Sequence, residues 1–308
     1  TTEGLFISQD RGKTWDRVNL SAPLASVRAV ALHSKSPKPI YIATGNSIYF
    51  NAKGDLCTWV RGKGLRAERL RAVVVDPVDP EIVYAGVYLL DEWSVFASMD
   101  GGKEWEQTNA PLIEPPVSDT MSLAAGKTLD EQTILYAGSL GCGVFRSEDR
   151  GESWESFGRT HCSDPGNGMP MDAYFLTVDS QDPYRVYAAA GHEVHYSEDG
   201  GRVWHESQWI SPATSEGQSV DRPDIESPIV GLVADPHESQ VAYIITRSDG
   251  FWKSADGGDT WVSLGDPWSE GMEPTVLMAV PEVSGHLLIG ASNGEVWRST
   301  DSGQSWTP

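Results

Sequence analysis

The strongest constraint on the fold of this chain is a motif that recurs along its whole length. The pattern Ser-x-Asp-x-Gly-x-x-Trp occurs six times. The complete copies are Ser8-Asp10-Gly12-Trp15, Ser98-Asp100-Gly102-Trp105, Ser147-Asp149-Gly151-Trp154, Ser197-Asp199-Gly201-Trp204, Ser254-Asp256-Gly258-Trp261 and Ser299-Asp301-Gly303-Trp306. A seventh, degenerate copy ends at Trp59, with Ala52, Gly54 and Leu56 taken as its Ser, Asp and Gly positions. A motif that returns at the spacing of Trp15 and Trp59 is typical of a fold built from one small unit per repeat.

Each motif has the composition of a tight hairpin between two strands. The Asp carboxylate is expected to accept hydrogen bonds from backbone N–H groups of the turn, Gly permits positive φ, and the Ser hydroxyl closes the turn. The Trp is expected to begin the next strand and to be buried beneath the hairpin. Two residues before each motif stands an aromatic residue or histidine, which we expect to pack between neighbouring repeats. These residues are Phe6, Phe50, Phe96, Phe145, His195, Trp252 and Trp297.

Two further strand signals precede each motif. The first is a short apolar run that often ends in Asp, as in Val73–Asp76 and Leu232–Asp235. The second resembles Val-Tyr-Ala-Gly, as in Val83–Gly86. Short, β-branched runs separated by turn residues indicate strands, and no segment has helical periodicity. Each repeat therefore predicts four antiparallel strands with the motif between strands 3 and 4, which is a blade of a β-propeller.

The repeats together predict an all-β, seven-bladed β-propeller of four-stranded antiparallel blades, in a single domain spanning residues 1–308. Residues 1–18 supply only strands 3 and 4 of one incomplete blade. Six full blades follow at 27–63, 70–108, 120–157, 172–207, 228–264 and 274–308. We expect the parent chain to be longer, with the two missing strands past Pro308, because they would remove exposed sheet edges.

The composition excludes several kinds of partner and cofactor. The formal charge is −21, from 23 Lys and Arg against 44 Asp and Glu, so nucleic acid is not expected as a partner. No apolar run is long enough for a membrane span. Each motif offers too few carboxylates for calcium and the histidines are scattered, so no metal and no cofactor are expected. Cys142 and Cys162 either pair as a disulfide or remain free thiols.

The predicted connectivity separates two sets of loops. The strand 1–2 loops and the motifs lie at one end of each blade, and the strand 2–3 loops and the links between blades lie at the other. Length variation is concentrated in the second set, where a functional site is expected because long loops on a rigid scaffold often carry function. The segments concerned are Tyr88–Trp93, Thr108–Thr120, Gly158–Asp172, His205–Ser227 and Gly265–Pro274.

Acidic and aromatic residues are common in these inserts. Paired carboxylates beside aromatic rings are what a glycosidase requires, and they are equally common in solvated loops. The weak catalytic candidates are Asp91, Glu92, Asp224 and Glu226, and Trp93 is a candidate binding residue.

A basic run interrupts the acidic chain between the first two full blades. It contains Arg61, Lys63, Arg66, Arg69 and Arg71. Arg28 holds the position of Arg71 in the preceding repeat, and both are expected at the start of an innermost strand, facing the mouth of the central channel. The run either pairs with acidic surroundings or binds an anionic group, since the arginine fork recognises carboxylates through two parallel hydrogen bonds.

The motifs resemble the BNR/Asp-box repeats of sialidases, two-propeller xyloglucanases, sortilin-type receptors and photosystem II assembly factors. The resemblance covers essentially the whole chain and implies a propeller fold and an extracytoplasmic location. It leaves the function open, because the repeat is a structural element that all of these proteins share.

The resemblance to enzymes meets specific obstacles. Sialidases clamp a carboxylate with three arginines, for which Arg28, Arg71 and Arg247 are candidates, but the Arg-Ile-Pro segment and a Tyr–Glu nucleophile pair are not found. Xyloglucanases of this kind place the substrate between two propellers, and one is present here. The sequence therefore favours a non-enzymatic scaffold that binds a protein or peptide, which we expect to be acidic. Its binding residues are taken as Arg28, Arg66, Arg69, Arg71, Trp93 and Arg247. The alternative is a secreted glycoside hydrolase with a carbohydrate substrate.

Overall fold

The computed structural model describes most of the chain as β-structure in two compact units. The described residues are 5–18, 27–33, 39–54, 58–65, 67, 69–89, 92–108, 120–139, 141–156, 172–210, 226–266 and 272–308. They form twenty-five strands, and no helix occurs among them. The first unit comprises Thr1–Gly166 and Met171–Tyr174, and the second comprises Asn167–Pro170 and Phe175–Pro308.

The first unit contains four antiparallel sheets. The first has only the strands β1 (Phe6–Ile7) and β2 (Asp16–Arg17). The second is formed in sequence order by β3 (Ala29–Leu32), β4 (Ile40–Ala43), β5 (Ile48–Asn51) and β6 (Val60–Arg61). The third is formed by β7 (Arg69–Val75), β8 (Val83–Leu89), β9 (Glu92–Ser98) and β10 (Glu106–Gln107). The fourth is formed by β11 (Thr120–Lys127), β12 (Thr133–Ser139) and β13 (Gly143–Ser147).

The second unit contains three sheets. The first is formed by β14 (Phe175–Val178), β15 (Val186–Ala190), β16 (Glu193–Ser197) and β17 (His205–Glu206). The second is formed by β18 (Gln208–Ile210), β19 (Ile229–Ala234), β20 (Ala242–Thr246), β21 (Phe251–Ser254) and β22 (Thr260–Ser263). The third is formed by β23 (Pro274–Ala279), β24 (Leu287–Ala291) and β25 (Val296–Ser299).

The register of the strands gives every sheet two distinct ends. In the third sheet, Val75 pairs with Val83 and Val83 pairs with Ser98, so the strand 1–2 loop and the motif share one end. Leu89 pairs with Glu92 at the other end, where the strand 2–3 turn lies. We call these the box end and the hairpin end. The division that the sequence predicts is confirmed.

Hydrophobic side chains between neighbouring sheets form the core. Phe96 lies in one buried cluster with Tyr41 and Ile48 of the preceding sheet, and Phe145 lies in another with Tyr84 of its own preceding sheet. In the second unit, Trp252 is buried with Tyr187. Packing of the pre-motif aromatic residues between repeats is therefore confirmed at these three positions.

The register corrects the interpretation of the degenerate motif. Tyr41 pairs with Phe50 and Ile40 pairs with Asn51, just as Tyr84 pairs with Ala97 and Val83 pairs with Ser98. Asn51 therefore holds the position assigned to Ala52, and the turn that leads to Trp59 is one residue longer than the others. The amide of Asn51 donates to the carbonyl of Thr58 at 3.0 Å and closes this longer turn. Phe50 consequently holds the position of Ala97 rather than that of Phe96.

The strand count also differs from the prediction in three places. Within the described residues there are six blades, and a further sheet is formed by β1 and β2. In the sheets of β11–β13 and β23–β25 the fourth segment forms one isolated bridge, Arg146 with Glu155 and Arg298 with Thr307. One sheet has a fifth strand, because β18, which lies inside the predicted loop His205–Ser227, pairs in parallel with β22. It is held there by Trp209, whose ring lies 5.2 Å from that of Trp252 and 6.1 Å from that of Trp261.

Two smaller predictions are wrong. The segment Tyr88–Trp93 is largely strand rather than loop, because β8 and β9 remain paired up to Leu89 and Glu92. Trp15 is 41% exposed, whereas Trp105 and Trp261 are buried. Those two rings lie in clusters that include the inner strands of the preceding sheet.

Candidate functional site

The box end is a repeated structural device. In each complete motif the Ser hydroxyl donates to the Asp carboxylate at 2.8–2.9 Å. The same hydroxyl accepts the N–H of the motif Gly at 2.7–2.9 Å. The Asp then accepts the backbone N–H four residues further on, as from Glu104 at 3.0 Å and from Val203 at 2.9 Å. The roles assigned to Ser, Asp and Gly from the sequence are confirmed.

The motif also contains a left-handed residue that the sequence pattern does not show. The motif glycines have φ between 83° and 97°, and the residue before each of them is left-handed too. That residue is Gly in three copies, and in the others it is Arg11, Arg150 and Ser302, with φ of 63°, 60° and 59°. A left-handed non-glycine residue is uncommon and stores strain. In the sequence, the Gly-Gly pairs of the other three copies indicate that this position is left-handed.

The turn hydrogen bonds lower the pKa of the motif carboxyls. Backbone and hydroxyl hydrogen bonds from Thr14 bring the pKa of Asp10 down to about 2. In other copies burial raises the carboxyl pKa, but hydrogen bonds from backbone N–H groups of the turn and from Ser or Thr hydroxyls outweigh it and hold the pKa below its usual value. These residues are Asp100, Asp149, Asp256 and Asp301. Stabilisation of the anion is evidence of a structural role, because a carboxylate locked into a turn is a poor proton donor.

A second device at the box end is a buried carboxylate that joins neighbouring sheets. Asp76 is fully buried and accepts hydrogen bonds from the N–H groups of Val78 and Asp79. It also accepts from the hydroxyl of Tyr84 at 3.2 Å and from that of Thr133, in the next sheet, at 2.9 Å. Asp235 accepts from Tyr243 at 2.9 Å in the same way. The Asp-x7-Tyr spacing was visible in the sequence.

Carboxylates line a groove at the box end of the third and fourth sheets. The groove has a volume of about 400 Å³ and is lined by Asp100, Glu104, Glu106 and Glu152, with Arg150 beside them. The Nε atom of Arg150 lies 3.9 Å from a carboxylate oxygen of the buried Asp76. This groove at the box end of the first unit is therefore acidic.

The hairpin end of the first unit carries the predicted arginines. Arg69 and Arg71 are exposed on β7, on either side of the buried Leu70. Arg28 is exposed immediately before β3. The strands β3 and β7 pack against each other, so the three arginines lie at the starts of neighbouring strands. Arg28 and Arg71 thus lie at the starts of innermost strands, whereas their position at a channel mouth and their role in binding stay predictions.

The register also confirms that Arg28 and Arg71 are equivalent. Ala29 pairs with Ala43 and Ala72 pairs with Gly86, and both pairs hold the same place relative to Tyr41 and Tyr84, so the residues before them are equivalent. Arg71 is the extra residue of a β-bulge between Leu70 and Ala72. A bulge leaves a residue outside the ladder and re-aims its side chain, as it often does beside functional sites. The corresponding residues of four other sheets are Met121, Tyr174, Val230 and Thr275, which are uncharged.

One tight turn, Thr44–Ser47, connects the arginines. The N–H and hydroxyl of Thr44 both donate to the carbonyl of Ser47, at 2.8 and 2.9 Å. Arg28 donates its N–H to Ala43, and Leu70, between the other two arginines, donates its N–H to Gly45 at 3.0 Å. The Nε atom of Arg61 donates to the hydroxyl of Ser47 at 3.1 Å. We call this turn with Arg28, Arg61, Arg69 and Arg71 the arginine turn.

The arginine turn places several cationic groups on one fixed backbone frame. Gly45 and Asn46 are exposed at its tip, and a Cβ atom added at Gly45 would meet open space. The surface beside the guanidinium groups is therefore accessible to a partner. Sequence reasoning found the arginines but missed the turn, although Gly45-Asn46 between two apolar runs is a hairpin signal.

The remaining predicted site residues do not join this group. Arg66, Asp91 and Asp224 lie outside the described residues, as do the side chains of Glu92 and Trp93. Glu226 is exposed just before β19, and Arg247 is exposed just after β20, both in the second unit. A convergence of Arg247 with Arg28 and Arg71 stays a prediction.

Three further observations bear on the predicted chemistry. Cys142 is buried and disulfide-bonded, and its predicted partner Cys162 lies outside the described residues. Within the described ranges, no group of three or more His, Cys, Asp or Glu side chains is arranged to hold a metal ion. The search of the same ranges for a long apolar helix capable of crossing a membrane found none.

Comparison with known proteins identifies the repeat. The BNR/Asp-box repeat profile matches residues 6–17. A xyloglucanase of Paenibacillus sp. is 27% identical over 320 aligned positions, covering 96% of this chain and 27% of the enzyme. A xyloglucanase Xgh74A of Acetivibrio thermocellus is 30% identical over 162 positions, covering 44% of this chain and 19% of the enzyme. The chain spans about a quarter of the length of the curated relatives it matches.

Solved structures agree on the fold. The structure of YCF48 bound to D1 peptide has a TM-score of 0.64 at 15% identity and covers 94% of this chain and 82% of that one. An ancestral GH74 enzyme has a TM-score of 0.63 at 17% identity, over 92% of this chain and 38% of that one. At such identities the likeness shows the fold alone. Taken with the six motifs, it identifies this chain as a β-propeller built from BNR/Asp-box repeats.

Proposed function

We propose that this chain is a non-enzymatic scaffold that binds an acidic protein segment through the arginine turn. The observation that carries the proposal is the set of exposed arginines, fixed to one turn at the hairpin end, in a chain with a net charge of −21. A local cluster of positive charge on an acidic protein attracts and orients an anionic partner. Arginine binds carboxylates through a planar fork, which gives direction as well as affinity.

Two features support a peptide over a small anion. The arginines extend over the starts of two strands and the outer strand of one sheet, so they suit an extended chain with several carboxylates. The likeness in fold to YCF48, which was solved bound to D1 peptide, is in keeping with peptide binding by such a propeller. We also infer an extracytoplasmic location from the repeat and from the relatives that carry it.

The test is charge reversal with a matched control. The substitutions Arg28→Glu, Arg69→Glu and Arg71→Glu are expected to weaken binding of an Asp/Glu-rich synthetic peptide by about tenfold or more each, because each removes a charge-assisted hydrogen bond of about 1.5–3 kcal/mol. Lys103→Glu makes the same charge change on an exposed residue at the box end and should alter binding far less. Isothermal titration calorimetry against the acidic peptide and its Asn/Gln counterpart measures the effect. Equal affinity of all four variants for the acidic peptide would refute the proposal.

A glycoside hydrolase is the second candidate, because similarity to xyloglucanases extends over 96% of the chain. It predicts that the protein releases reducing sugar from xyloglucan and that substitutions such as Asp91→Asn, Asp224→Asn or Glu226→Gln abolish the release. The scaffold proposal predicts no release above a heat-denatured control. The two functions are thus separated by one assay on the unmodified chain.

A further inference from the structure

The groove at the box end of the third and fourth sheets contains a small residue where other sheets have a large one. Ala97 lines the groove, and it pairs with Tyr84 on one side and with Glu106 of the outer strand β10 on the other. The register identifies the residues at this position in the other five described sheets of three or more strands: Phe50, Arg146, Tyr196, Lys253 and Arg298. Each of these side chains is long, so the alanine leaves space that the other sheets fill.

The fourth sheet shows how a cation fits this position. Arg146 is the counterpart of Ala97, and it pairs with Glu155, which is the counterpart of Glu106. The side chain of Arg146 is 2% exposed, and its Nη2 atom lies 2.9 Å from a carboxylate oxygen of Glu148 and 3.7 Å from one of Glu155. Opposite charges directly across two strands attract each other. The third sheet keeps the acidic member of this pair and replaces the basic one with alanine.

The sheet of β14–β17 fills the same position with a hydrogen-bond donor. The hydroxyl of Tyr196 donates to the carboxylate of Asp259, in the motif of the next sheet, at 3.3 Å. Asp259 and Glu152 hold the same place in their motifs, two residues before the Trp. Glu152 is exposed and lines the groove. The groove thus contains two carboxylates, those of Glu106 and Glu152, whose counterparts receive a donor from the side chain that alanine replaces.

The other lining residues favour a long cationic side chain. Asp100 and Glu104 add negative charge to the groove. Met99 is 55% exposed there and offers apolar surface to the methylene groups of such a side chain. Arg150 also lines the groove, but its Nε atom lies 3.9 Å from the buried carboxylate of Asp76, which offsets its charge. The groove therefore combines an apolar wall with a surplus of carboxylates.

We propose that this groove binds an arginine side chain from a basic segment of another protein. The methylene groups lie over Ala97 and Met99, and the guanidinium group pairs with Glu106 and Glu152, as that of Arg146 pairs with its own glutamates. The net charge of −21 attracts a basic segment to the chain. The groove lies at the box end and the arginine turn at the hairpin end, so the proposal does not depend on the proposed function.

The test fills the groove with the side chain that the fourth sheet already uses. The probe is a fluorescein-labelled peptide of three Gly-Ser-Arg repeats, compared with a counterpart in which citrulline replaces arginine and removes the charge. Fluorescence anisotropy at low ionic strength measures both affinities, because salt screens exposed charges. The arginine peptide is expected to bind about tenfold or more tightly than the citrulline peptide. Ala97→Arg places a guanidinium group opposite Glu106 and should lower the affinity for the arginine peptide by about tenfold or more.

Two further variants separate the loss of the carboxylate from the loss of space. Glu106→Gln removes a charged acceptor without filling the groove, and should also lower the affinity by about tenfold. Glu131→Gln makes the same charge change on an exposed residue of the turn between β11 and β12, at the same end but outside the groove. It should leave the affinity unchanged. Circular dichroism during thermal melting verifies that each variant is folded.

Three results would overturn the proposal. The first is equal affinity of the arginine and citrulline peptides. The second is unchanged affinity of the folded Ala97→Arg and Glu106→Gln variants for the arginine peptide. The third is self-association in sedimentation that increases with concentration and is abolished by Ala97→Arg, which would assign the groove to a second copy of this chain. Binding of the acidic peptide is measured separately, so failure here and failure of the proposed function are distinguishable.

Discussion

The two ends of the sheets in the first unit differ in how much they repeat. At the box end, the same Ser, Asp and Gly hydrogen bonds recur in every complete motif with nearly identical lengths. At the hairpin end, one blade has the turn Thr44–Ser47 with Arg61 bonded to it, and in the next blade the strands stay paired as far as Leu89 and Glu92. The comparison teaches that one end holds the blades together, while the other is free to change and is where we place binding.

The largest expected effect is at the buried carboxylate of the box end. Asp76→Ala removes the acceptor of four hydrogen bonds, including one from the neighbouring sheet, and leaves the hydroxyls of Tyr84 and Thr133 buried without it. We expect the free energy of unfolding to fall by about 3–5 kcal/mol. The hairpin-end control Asp249→Ala removes the acceptor of one backbone N–H, that of Ser227, and should cost about 1 kcal/mol. Chemical denaturation measures the loss of unfolding free energy in both variants. Equal losses would contradict the difference between the two ends.

An intermediate effect is expected for serine hydroxyls at the two ends. Ser98→Ala leaves the N–H of Gly102 without its acceptor and removes one of the donors to Asp100, and should cost about 1–3 kcal/mol with no change in peptide binding. Ser47→Ala removes the hydroxyl that receives the Nε hydrogen bond of Arg61, so it should weaken acidic-peptide binding with a smaller loss of stability. Calorimetric titration and thermal melting of the pair separate the two roles. Weaker peptide binding by Ser98→Ala, with unchanged binding by Ser47→Ala, would assign binding to the box end.

The smallest effect is the acid sensitivity of the motifs. The folded pKa of Asp301 lies below its usual value because hydrogen bonds from Ser305 and Ser299 outweigh the burial that raises it, and that of Asp10 is about 2. The unfolded state then binds more protons at low pH, so this stabilisation is complete above about pH 4 and is lost as the pH falls toward 2. Melting temperatures between pH 5 and pH 2 should fall less steeply for Asp301→Asn than for the unsubstituted chain. Parallel curves would show that the motif carboxylate adds no acid-sensitive stability.

Local hydrogen-bonding rules made the box end predictable. The Ser-x-Asp-x-Gly-x-x-Trp pattern contains the donors, the acceptors and the glycine that the turn needs, so its geometry followed from residue types. The parallel strand β18 was not predictable in this way, because its position depends on contacts of Trp209 with Trp252 and Trp261, which are distant in sequence. The position of Asn51 was missed because a one-residue insertion shifts the motif without changing its composition.

The sequence pointed to the arginines of the candidate site but not to the turn that holds them. Arg28, Arg69 and Arg71 stand out because they reverse the charge of an acidic chain, and repeat alignment placed them at one end. Their attachment to the turn Thr44–Ser47 depends on hydrogen bonds from a neighbouring blade to Gly45 and within a blade to Ser47. Predicting such hydrogen bonds requires the strand register of two sheets, which the amino-acid composition does not reveal.

Hydrogen–deuterium exchange with and without the acidic peptide tests the central claim most directly. The account predicts that the peptide slows exchange at residues 44–47 and 69–71, at the hairpin end, and leaves the motif amides at residues 98–105 unchanged. Slower exchange at the motifs, with no change at the arginine turn, would contradict it.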